Sequence, residues 1–341
     1  MTAVLTIRQA GPLMTVQDLG RPGHLAEGLS PGGAMDRVAL IEAAALLGLD
    51  TPAAAIEMAG LGGQFVTDAP IRFALTGARM QALIDDAPLR WNATHTLHPG
   101  QVLTIGGARD GTYGYLTPAG GITGEPVLGS VAAHLSIGLG AALKDGETLP
   151  IGPDPSPDRP QMTLPQDDRM GGGLLRLMPG PQTDRFDEQT RARLAATRFH
   201  RSPRASRTGL PLRHEGDPFA MIDPAAPISD FILSGDLQIT GDGSPFLMLA
   251  ECQTVGGYPR IGSVIATDLA RAAQAPVTAP LQFAWITTEE ADALHVPPAR
   301  MLDDLSAKVR PLIRDPARMR DLLSYQLIGG VTAGRELEPS S

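Results

Sequence analysis

The sequence predicts a mainly β protein. In the first half, short apolar runs recur about every ten residues with Gly, Pro or Asp between them, a pattern typical of a barrel or sandwich. The 341 residues include 39 glycines and 31 prolines, a density that favours short elements joined by turns over long helices. A chain of this length forms two cores more often than one.

The predicted strands fall into two groups on either side of a Pro-rich segment. In the first group they are residues 4–8, 71–76, 80–84, 102–105 and 113–117. In the second group they are residues 174–178, 231–234, 246–250 and 281–285. The segment between the groups, residues 151–172, is interpreted as a linker or long exposed loop. We therefore expect one domain over residues 1–150 and another over residues 173–290.

A few short helices and a helical C-terminal tail complete the predicted fold. Apolar spacing predicts a helix that begins after an Asp36 N-cap and stops at Gly48. A second short helix is predicted over residues 268–274, and a capping box over residues 287–290 predicts a third. Residues 291–341 are predicted to be a helical extension, because the charged stretch 301–327 is helix-compatible apart from two prolines.

Charge and composition exclude several classes of function. The net charge is −9, and an acidic surface repels nucleic acid. No apolar run approaches the length of a membrane span, and the N-terminus lacks the pattern of a signal peptide. The single cysteine, Cys252, suits a reducing compartment and is predicted to be a buried, inert thiol. We expect a cytoplasmic protein without nucleic-acid or membrane partners.

Short motifs of general chemistry do not indicate a specific function. The chain has no P-loop, no G-x-S-x-G elbow and no G-x-G-x-x-G that opens a helix. His95 and His98 have a metal-ligand spacing, but the Pro-Gly that follows predicts a turn, so no metal site is predicted. The arginine-rich stretch 191–213 is either a solvated surface or an anion site.

Longer strings carry a family resemblance. The chain contains TVQDLGRPG (15–23), GAMD (33–36), GDLQI (235–239) and QTVGGYP (253–259). Shorter matching blocks lie at residues 55–57, 75–78, 120–122, 127–130, 228–230, 243–245, 268–269 and 273–274. Together they resemble the biotin-dependent carboxyltransferase-like family over roughly residues 5–285. Val131 and Pro211 stand where the family usually has Arg, which removes two potential anion-binding groups.

The resemblance implies two tandem cyclophilin-like β-barrel domains with a ligand cleft between them or at an interface between subunits. Members include the C component of ATP-dependent 5-oxoprolinase, which implies A-like and B-like partner proteins and ATP, with Mg, at such an interface. The implied reaction opens 5-oxo-L-proline to L-glutamate. Two alternatives stay open: a carboxyltransferase acting on urea or a related amide, with biotin on a separate carrier, and a non-catalytic antagonist of a kinase inhibitor.

The matched blocks also supply the candidate site residues. Asp36 and Glu57 are candidates for an acid, a base or a magnesium ligand, and Gln253 is a third catalytic candidate. The predicted substrate-binding residues are Gln17, Arg21, Gly32, Gly33, Arg207, Gln238, Gly256, Gly257 and Tyr258. Among them, Arg21 would hold a carboxylate or phosphate. The glycines would offer backbone N–H donors, the glutamines would orient an amide, and Tyr258 would line the pocket.

Overall fold

A computed structural model describes residues 3–223 and 229–313. The strands are β1 Val4–Gln9, β2 Thr15–Gln17, β3 Ala55–Ala59, β4 Gln64–Thr67, β5 Ile71–Gly77, β6 Met80–Ile84, β7 Ala87–Pro88, β8 Ala93–Leu97, β9 Leu103–Ala108, β10 Tyr113–Pro118, β11 Thr148–Pro150, β12 Met162–Thr163, β13 Gly173–Met178, β14 Phe199–Arg201, β15 Gly209–Arg213, β16 Asp230–Phe231, β17 Asp236–Ile239, β18 Pro245–Met248, β19 Val255–Gly256, β20 Arg260–Val264, β21 Pro280–Trp285 and β22 Arg310–Pro311. The helices are α1 Arg37–Leu47, α2 Glu188–Ala196, α3 Ala266–Gln274, α4 Thr288–Ala293 and α5 Pro298–Ser306. Short 3-10 turns cover Leu25–Glu27, Leu135–Ile137, Arg169–Gly171 and Thr183–Arg185.

The N-terminal half is built from two antiparallel sheets. One has the order β11-β1-β4-β9-β6-β7, and the other has the order β2-β3-β10-β5-β8-β12-β22. Apolar side chains from both sheets share one core, for example Leu5 and Phe65 from the first sheet with Ile56 and Phe73 from the second. The N-terminal half is therefore two sheets packed on a common core. The predicted mainly β fold class is confirmed.

The C-terminal half contains a closed barrel with the strand order β13-β20-β17-β18-β15-β14-β21. The pair β13–β21 is parallel, and the other pairs in this barrel are antiparallel. Leu175, Leu237 and Phe283 are buried in its core. Closure leaves this barrel without a free sheet edge. The strand predicted over residues 231–234 is shorter than expected, because β16 ends at Phe231 and pairs outside the barrel with β19.

Helix α1 confirms the predicted caps. The Asp36 carboxylate accepts a hydrogen bond from the backbone N–H of Ala39 at 3.1 Å. The C-terminal Gly48 adopts a φ of 75°, which glycine reaches without steric cost. The helix is enclosed by the rest of the protein, because residues 39–47 are all buried. Strand β5 and helix α5 both pack against α1.

The Pro-rich segment is anchored to the N-terminal half at a few points. Its Asp154 carboxylate forms an ion pair with the Arg72 guanidinium at 2.8 Å. Ile151 and Leu164 are buried, and β12 joins the N-terminal half by pairing with β8. Most of the segment has no regular secondary structure and many of its residues are exposed, but these apolar and charged anchors hold it against the N-terminal half. Its role as a linker between domains stays a prediction.

The end of the described chain returns to the N-terminal half. Helix α5 packs on α1, and β22 pairs with β12. The predicted helical stretch 301–327 is helical only as far as Ser306, and its residues 314–327 lie outside the described residues. Among the residues that the structure describes, no helix combines the length and apolar character needed to cross a membrane.

The remaining helix predictions have mixed outcomes. Helix α3 covers the predicted residues 268–274, and the capping box of α4 forms between Thr287 and Glu290. Helix α2 was not predicted; its second half overlaps the start of the arginine-rich stretch. Arg201 from the same stretch is buried and donates to the carbonyl oxygens of Ala273 and Ala275. Part of that stretch therefore holds the fold together instead of forming an open basic surface.

Candidate functional site

The two halves meet around the side chain of Arg207. Its Nε lies 2.5 Å from the Glu251 carboxylate in the C-terminal half. Its Nη1 contacts the Glu57 carboxylate in the N-terminal half, and Nη2 donates to the Gly33 carbonyl at 2.6 Å. Burial lowers the pKa of Arg207, but the two carboxylates outweigh burial and raise it above its ordinary value. Arg207 is thus a charged link between the halves.

Glu57, a predicted catalytic residue, is fully engaged in this junction. Its second oxygen accepts hydrogen bonds from the backbone N–H of Met35 at 2.8 Å and from the Tyr115 hydroxyl at 2.7 Å. Burial and the Glu57 charge raise the pKa of Tyr115 well above its ordinary value, so the phenol keeps its proton and remains a donor. The contacts therefore favour a structural role for Glu57, and its catalytic role stays a prediction.

Asp36 is enclosed in the same way. One of its oxygens caps α1, and the other accepts from Arg169 Nε at 2.8 Å and from Gln274 Nε2 at 2.7 Å. Arg169 also holds the Glu42 carboxylate through two hydrogen bonds of 2.8 and 2.7 Å. Asp36 is 0% exposed. Its position at the junction of α1, α3 and the Pro-rich segment gives it no access to a ligand in this structure.

A cavity of about 370 Å³ opens between the two halves beside Glu251. The N-terminal half contributes Ser30, His134 and Ser136 to its wall. The C-terminal half contributes Thr208, Glu251, Gln253 and Thr254. Clefts between domains that carry a few convergent polar groups are common ligand sites. Gln253 is the predicted catalytic residue that lines this cleft.

His134 lies at the centre of the polar wall. Its Nε2 is 2.9 Å from Ser30 Oγ, and its Nδ1 is 3.0 Å from Ser136 Oγ. Glu251 Oε2 lies 3.8 Å from Nδ1 and accepts the backbone N–H of Ser136 at 3.0 Å. Burial lowers the pKa of His134; the Glu251 charge opposes this effect, while Arg21 and Arg207 reinforce it. The imidazole is therefore neutral at neutral pH.

Gln17 and Arg21 brace the segment that leads into His134. Arg21 donates from Nη2 to the Ala132 carbonyl at 2.5 Å and from Nε to the Val127 carbonyl at 3.3 Å. Gln17 donates from Nε2 to the Ala133 carbonyl at 3.1 Å. Both side chains are buried. These contacts support a role in positioning His134, while the predicted direct grip of Arg21 on an anion stays a prediction.

Two of the predicted glycine donors join the halves instead of facing the cleft. The backbone N–H of Gly32 donates to the Ala250 carbonyl at 3.1 Å, and the Gly33 carbonyl accepts from Arg207. Gly33 has a φ of 79°, and a Cβ there would lie 2.5 Å from the backbone nitrogen of Gly20. A side chain at Gly33 would therefore collide with the backbone of residues 18–20 in the same half and displace this turn.

The predicted binding residues of the C-terminal half lie at the edge of the cleft or beyond it. Gly256 follows Val255, which lines the cleft, and both belong to β19. Gln238 is buried, and within the described residues its Nε2 has no hydrogen-bond partner. Gly257 is exposed, and so is Tyr258, at 49%. Tyr258 is absent from the cleft wall, so its predicted contact with a ligand is without support here.

Sequence reasoning missed Ser30, His134 and Ser136. Ser30 and His134 are 104 residues apart, and neither lies in a motif of general chemistry. Only the fold brings them together. The available hint is that Ser30 lies shortly before the matched block at residues 33–36 and His134 shortly after the matched block at residues 127–130.

The cleft does not fit a triphosphate or a metal ion. Its described wall contains no Lys or Arg side chain, and phosphate sites normally use such cations or a dedicated backbone loop. Among the described residues, no group of three or more His, Cys, Asp or Glu side chains is arranged to hold a metal. ATP and Mg therefore have no recognisable site in this cleft.

Comparison with known proteins identifies the family. Residues 27–285 match the family described as carboxyltransferase domain, subdomain A and B. The C component of 5-oxoprolinase from Escherichia coli is 34% identical over 294 residues, which cover 84% of this chain and 93% of that protein. The corresponding 5-oxoprolinase component from Haemophilus influenzae is 29% identical over 297 residues, 82% of this chain and 91% of that protein.

Solved structures show the same architecture. The crystal structure of TTHA0988 superposes with a TM-score of 0.74 and 27% identity over 83% of this chain. This chain spans 56% of that longer chain. Urea amidolyase from Kluyveromyces lactis superposes with a TM-score of 0.80 over 92% of this chain and 21% of its own length, at 21% identity, which shows the fold alone. The chain belongs to the carboxyltransferase family of subdomains A and B.

Proposed function

We propose that this chain is the C component of an ATP-dependent 5-oxoprolinase. With partner proteins, it would convert 5-oxo-L-proline, ATP and water to L-glutamate, ADP and phosphate. The observation that carries the proposal is a polar interdomain cleft in a chain 34% identical to a protein named as this component, over 93% of that protein. Neither half of this observation is sufficient alone, because one fold hosts many chemistries.

The cleft has the chemistry that opening a lactam requires. When water opens a five-membered lactam, the water loses a proton and the leaving ring nitrogen gains one. Because the lactam is a poor electrophile, groups that assist these two proton transfers are needed. His134, Ser30 and Glu251 supply groups that exchange protons or stabilise the resulting charge, and Gln253 supplies an amide that can orient the substrate amide. The cavity of about 370 Å³ is in the range of small-molecule sites.

Exposed apolar residues support a partner protein at the cleft mouth, and we assign the ATP site to the complex with that partner. Ile137 and Val255 line the cleft and are 56% and 54% exposed. Phe231, which pairs with Val255 across β16–β19, is 63% exposed. Apolar side chains grouped at a cleft mouth are typical of protein–protein contacts. We expect A-like and B-like partners to cover this mouth.

Carboxyl transfer is the second candidate function. The family description names a carboxyltransferase domain, and the fold match to a urea amidolyase covers 92% of this chain. A biotin group for this reaction would have to arrive on a separate carrier protein. Production of a carboxylated amide from a carboxybiotin carrier, without turnover of 5-oxo-L-proline, would favour this candidate.

The test is a reconstituted assay. The chain is co-expressed with candidate A-like and B-like partners, and ADP formation that depends on 5-oxo-L-proline is measured for the complex and for the chain alone. We expect turnover only when all the components are present in the complex, and none from this chain by itself. Gln253→Ala should reduce it by about tenfold or more, because the amide contact is lost at the reacting group. The exposed Gln81→Ala is the matched control and should have no effect. A well-formed but inactive complex would exclude the proposal.

A further inference from the structure

Ser30, His134, Ser136 and Glu251 form a continuous polar array across the cleft wall. Ser30 Oγ, His134 Nε2, His134 Nδ1 and Ser136 Oγ are linked by contacts of 2.9 and 3.0 Å on opposite sides of the ring. Glu251 closes the array from the other half of the protein, 3.8 Å from Nδ1. Ser30 and His134 are 2% and 1% exposed, yet both belong to the wall of the cavity.

The array selects one tautomer of the imidazole. A neutral histidine carries a proton on one ring nitrogen and a lone pair on the other. The carboxylate of Glu251 lies on the Nδ1 side and favours the proton on Nδ1, which then donates to Ser136 Oγ. The lone pair of Nε2 is left to accept the Ser30 hydroxyl proton. This is the arrangement by which a base activates a hydroxyl group in hydrolases of unrelated folds.

We propose that Ser30 and His134 form a proton relay for opening a small cyclic amide in this cleft, an inference that rests on the proposed function. As water attacks the carbonyl carbon, one water O–H bond breaks and an O–C bond forms. Ser30 Oγ accepts the water proton and passes its own proton to His134 Nε2. When the C–N bond breaks, the proton returns through Ser30 to the ring nitrogen. The relay ends in its starting state.

The surroundings of His134 suit both steps. Burial, Arg21 and Arg207 keep the resting imidazole neutral, so it is available as a base. Glu251 faces the proton-bearing side and stabilises the imidazolium that forms during the attack. In this scheme Ser30 touches the reacting water and is the catalytic residue, whereas His134 acts through Ser30.

The kinetic test uses the complete complex. We expect Ser30→Ala and His134→Gln each to lower kcat by about 100-fold or more, the usual range for a lost acid–base group, with a much smaller change in KM. The double variant should be no slower than the slower single variant, because both residues serve one step. The fall of kcat/KM at acid pH should disappear in His134→Gln. The control is His98→Gln, which alters an exposed turn.

A second measurement separates the relay from the proposed function. Nitrogen-15 NMR of the isolated chain, with the His134 signals identified from His134→Gln, reports the tautomer directly. We expect the Nδ1–H tautomer, and a shift of the Nε2 signal in Ser30→Ala. An inactive wild-type complex with these NMR signals would exclude 5-oxo-L-proline while retaining the Ser30–His134 pair. An Nε2–H tautomer, or Ser30→Ala with wild-type kcat, would overturn the relay.

Discussion

Arg169 Nε donates to the Asp36 carboxylate at a distance of 2.8 Å, deep in the protein. The same guanidinium binds Glu42 in a two-pronged contact. Asp36 and Glu42 belong to the cap and body of α1, whereas Arg169 comes from the end of the Pro-rich segment. One buried cation therefore fixes that segment to the central helix and pairs with two buried carboxylates.

Removing this cation should destabilise the chain strongly. Arg169→Met leaves Asp36 and Glu42 without their cation, and we expect the free energy of unfolding to fall by about 3–5 kcal/mol, the range for breaking one side of a buried ion pair. Urea denaturation measures the change.

The control for Arg169 is Arg300→Met. Arg300 pairs with Asp304 on an exposed helix surface, and an exposed pair contributes about 0–1 kcal/mol. Equal losses for Arg169→Met and Arg300→Met would contradict the role assigned to the buried pair.

Arg207 should be sensitive to shape as well as charge. Its guanidinium reaches two carboxylates and a carbonyl at once, and a lysine ammonium cannot reproduce that geometry. We expect Arg207→Lys to lose at least about tenfold in kcat/KM, because a displaced Glu251 also displaces the His134 contact. Steady-state kinetics of the complete complex checks this, and an Arg207→Lys variant with wild-type kcat/KM would show that charge alone is enough.

Removing the charges of Arg207 and Glu57 tests the same junction through its stability. Arg207→Met should destabilise the chain more than the pair Arg207→Met/Glu57→Gln, because the second change removes one of the two stranded charges. Thermal unfolding of the two variants gives the comparison. A double variant that is less stable than Arg207→Met would show that Glu57 does not depend on Arg207.

Cys252 should be unreactive while the protein is folded. Burial raises the pKa of its thiol to about 12, and the thiolate is the reactive form. We expect a thiol reagent at about pH 8 to modify the native chain at least about 100 times more slowly than a free cysteine, because so little thiolate is present. Full labelling should follow denaturation. Since Cys252 is the one cysteine of the sequence, rapid labelling of the native chain would contradict its burial.

His134 should make the fold sensitive to acid. Burial lowers the pKa of His134 in the folded chain below its ordinary value of 6.5. As the pH falls below that value, the unfolded chain binds a proton more readily than the folded chain, so stability decreases. Urea midpoints between neutral pH and about pH 5 should therefore decline less steeply in His134→Gln than in the wild type. An unchanged slope would show that His134 contributes nothing to the acid sensitivity.

The sequence was most informative where structure depends on neighbours along the chain. Asp36 and Gly48 were predicted as the caps of α1, and both caps form because they need contacts within one helical turn. The contacts of Arg169 with Asp36 and Glu42 span 133 and 127 residues. Local sequence patterns therefore could not predict them. The Pro-rich composition around Arg169 pointed instead to an exposed loop.

The site shows the same division. The family resemblance directed attention to Glu57, Arg207 and Gln253, and the first two meet at the junction between the halves while Gln253 lines the cleft. It gave no role to Ser30 or His134, whose proximity depends on the folding of the segment after residue 127. The matched blocks thus contained residues of the junction, but only the structure distinguishes the buried ion pairs from the groups that face the cavity.

The most direct test of the account is the ratio of glutamate released to ADP formed by the purified complex of this chain with its A-like and B-like partners. The proposed function predicts one glutamate for each ADP when 5-oxo-L-proline is present, and glutamate release that is slower by about 100-fold or more when Ser30→Ala replaces the wild-type chain. A stable complex that forms neither product, or that hydrolyses ATP at the same rate without 5-oxo-L-proline, would contradict it.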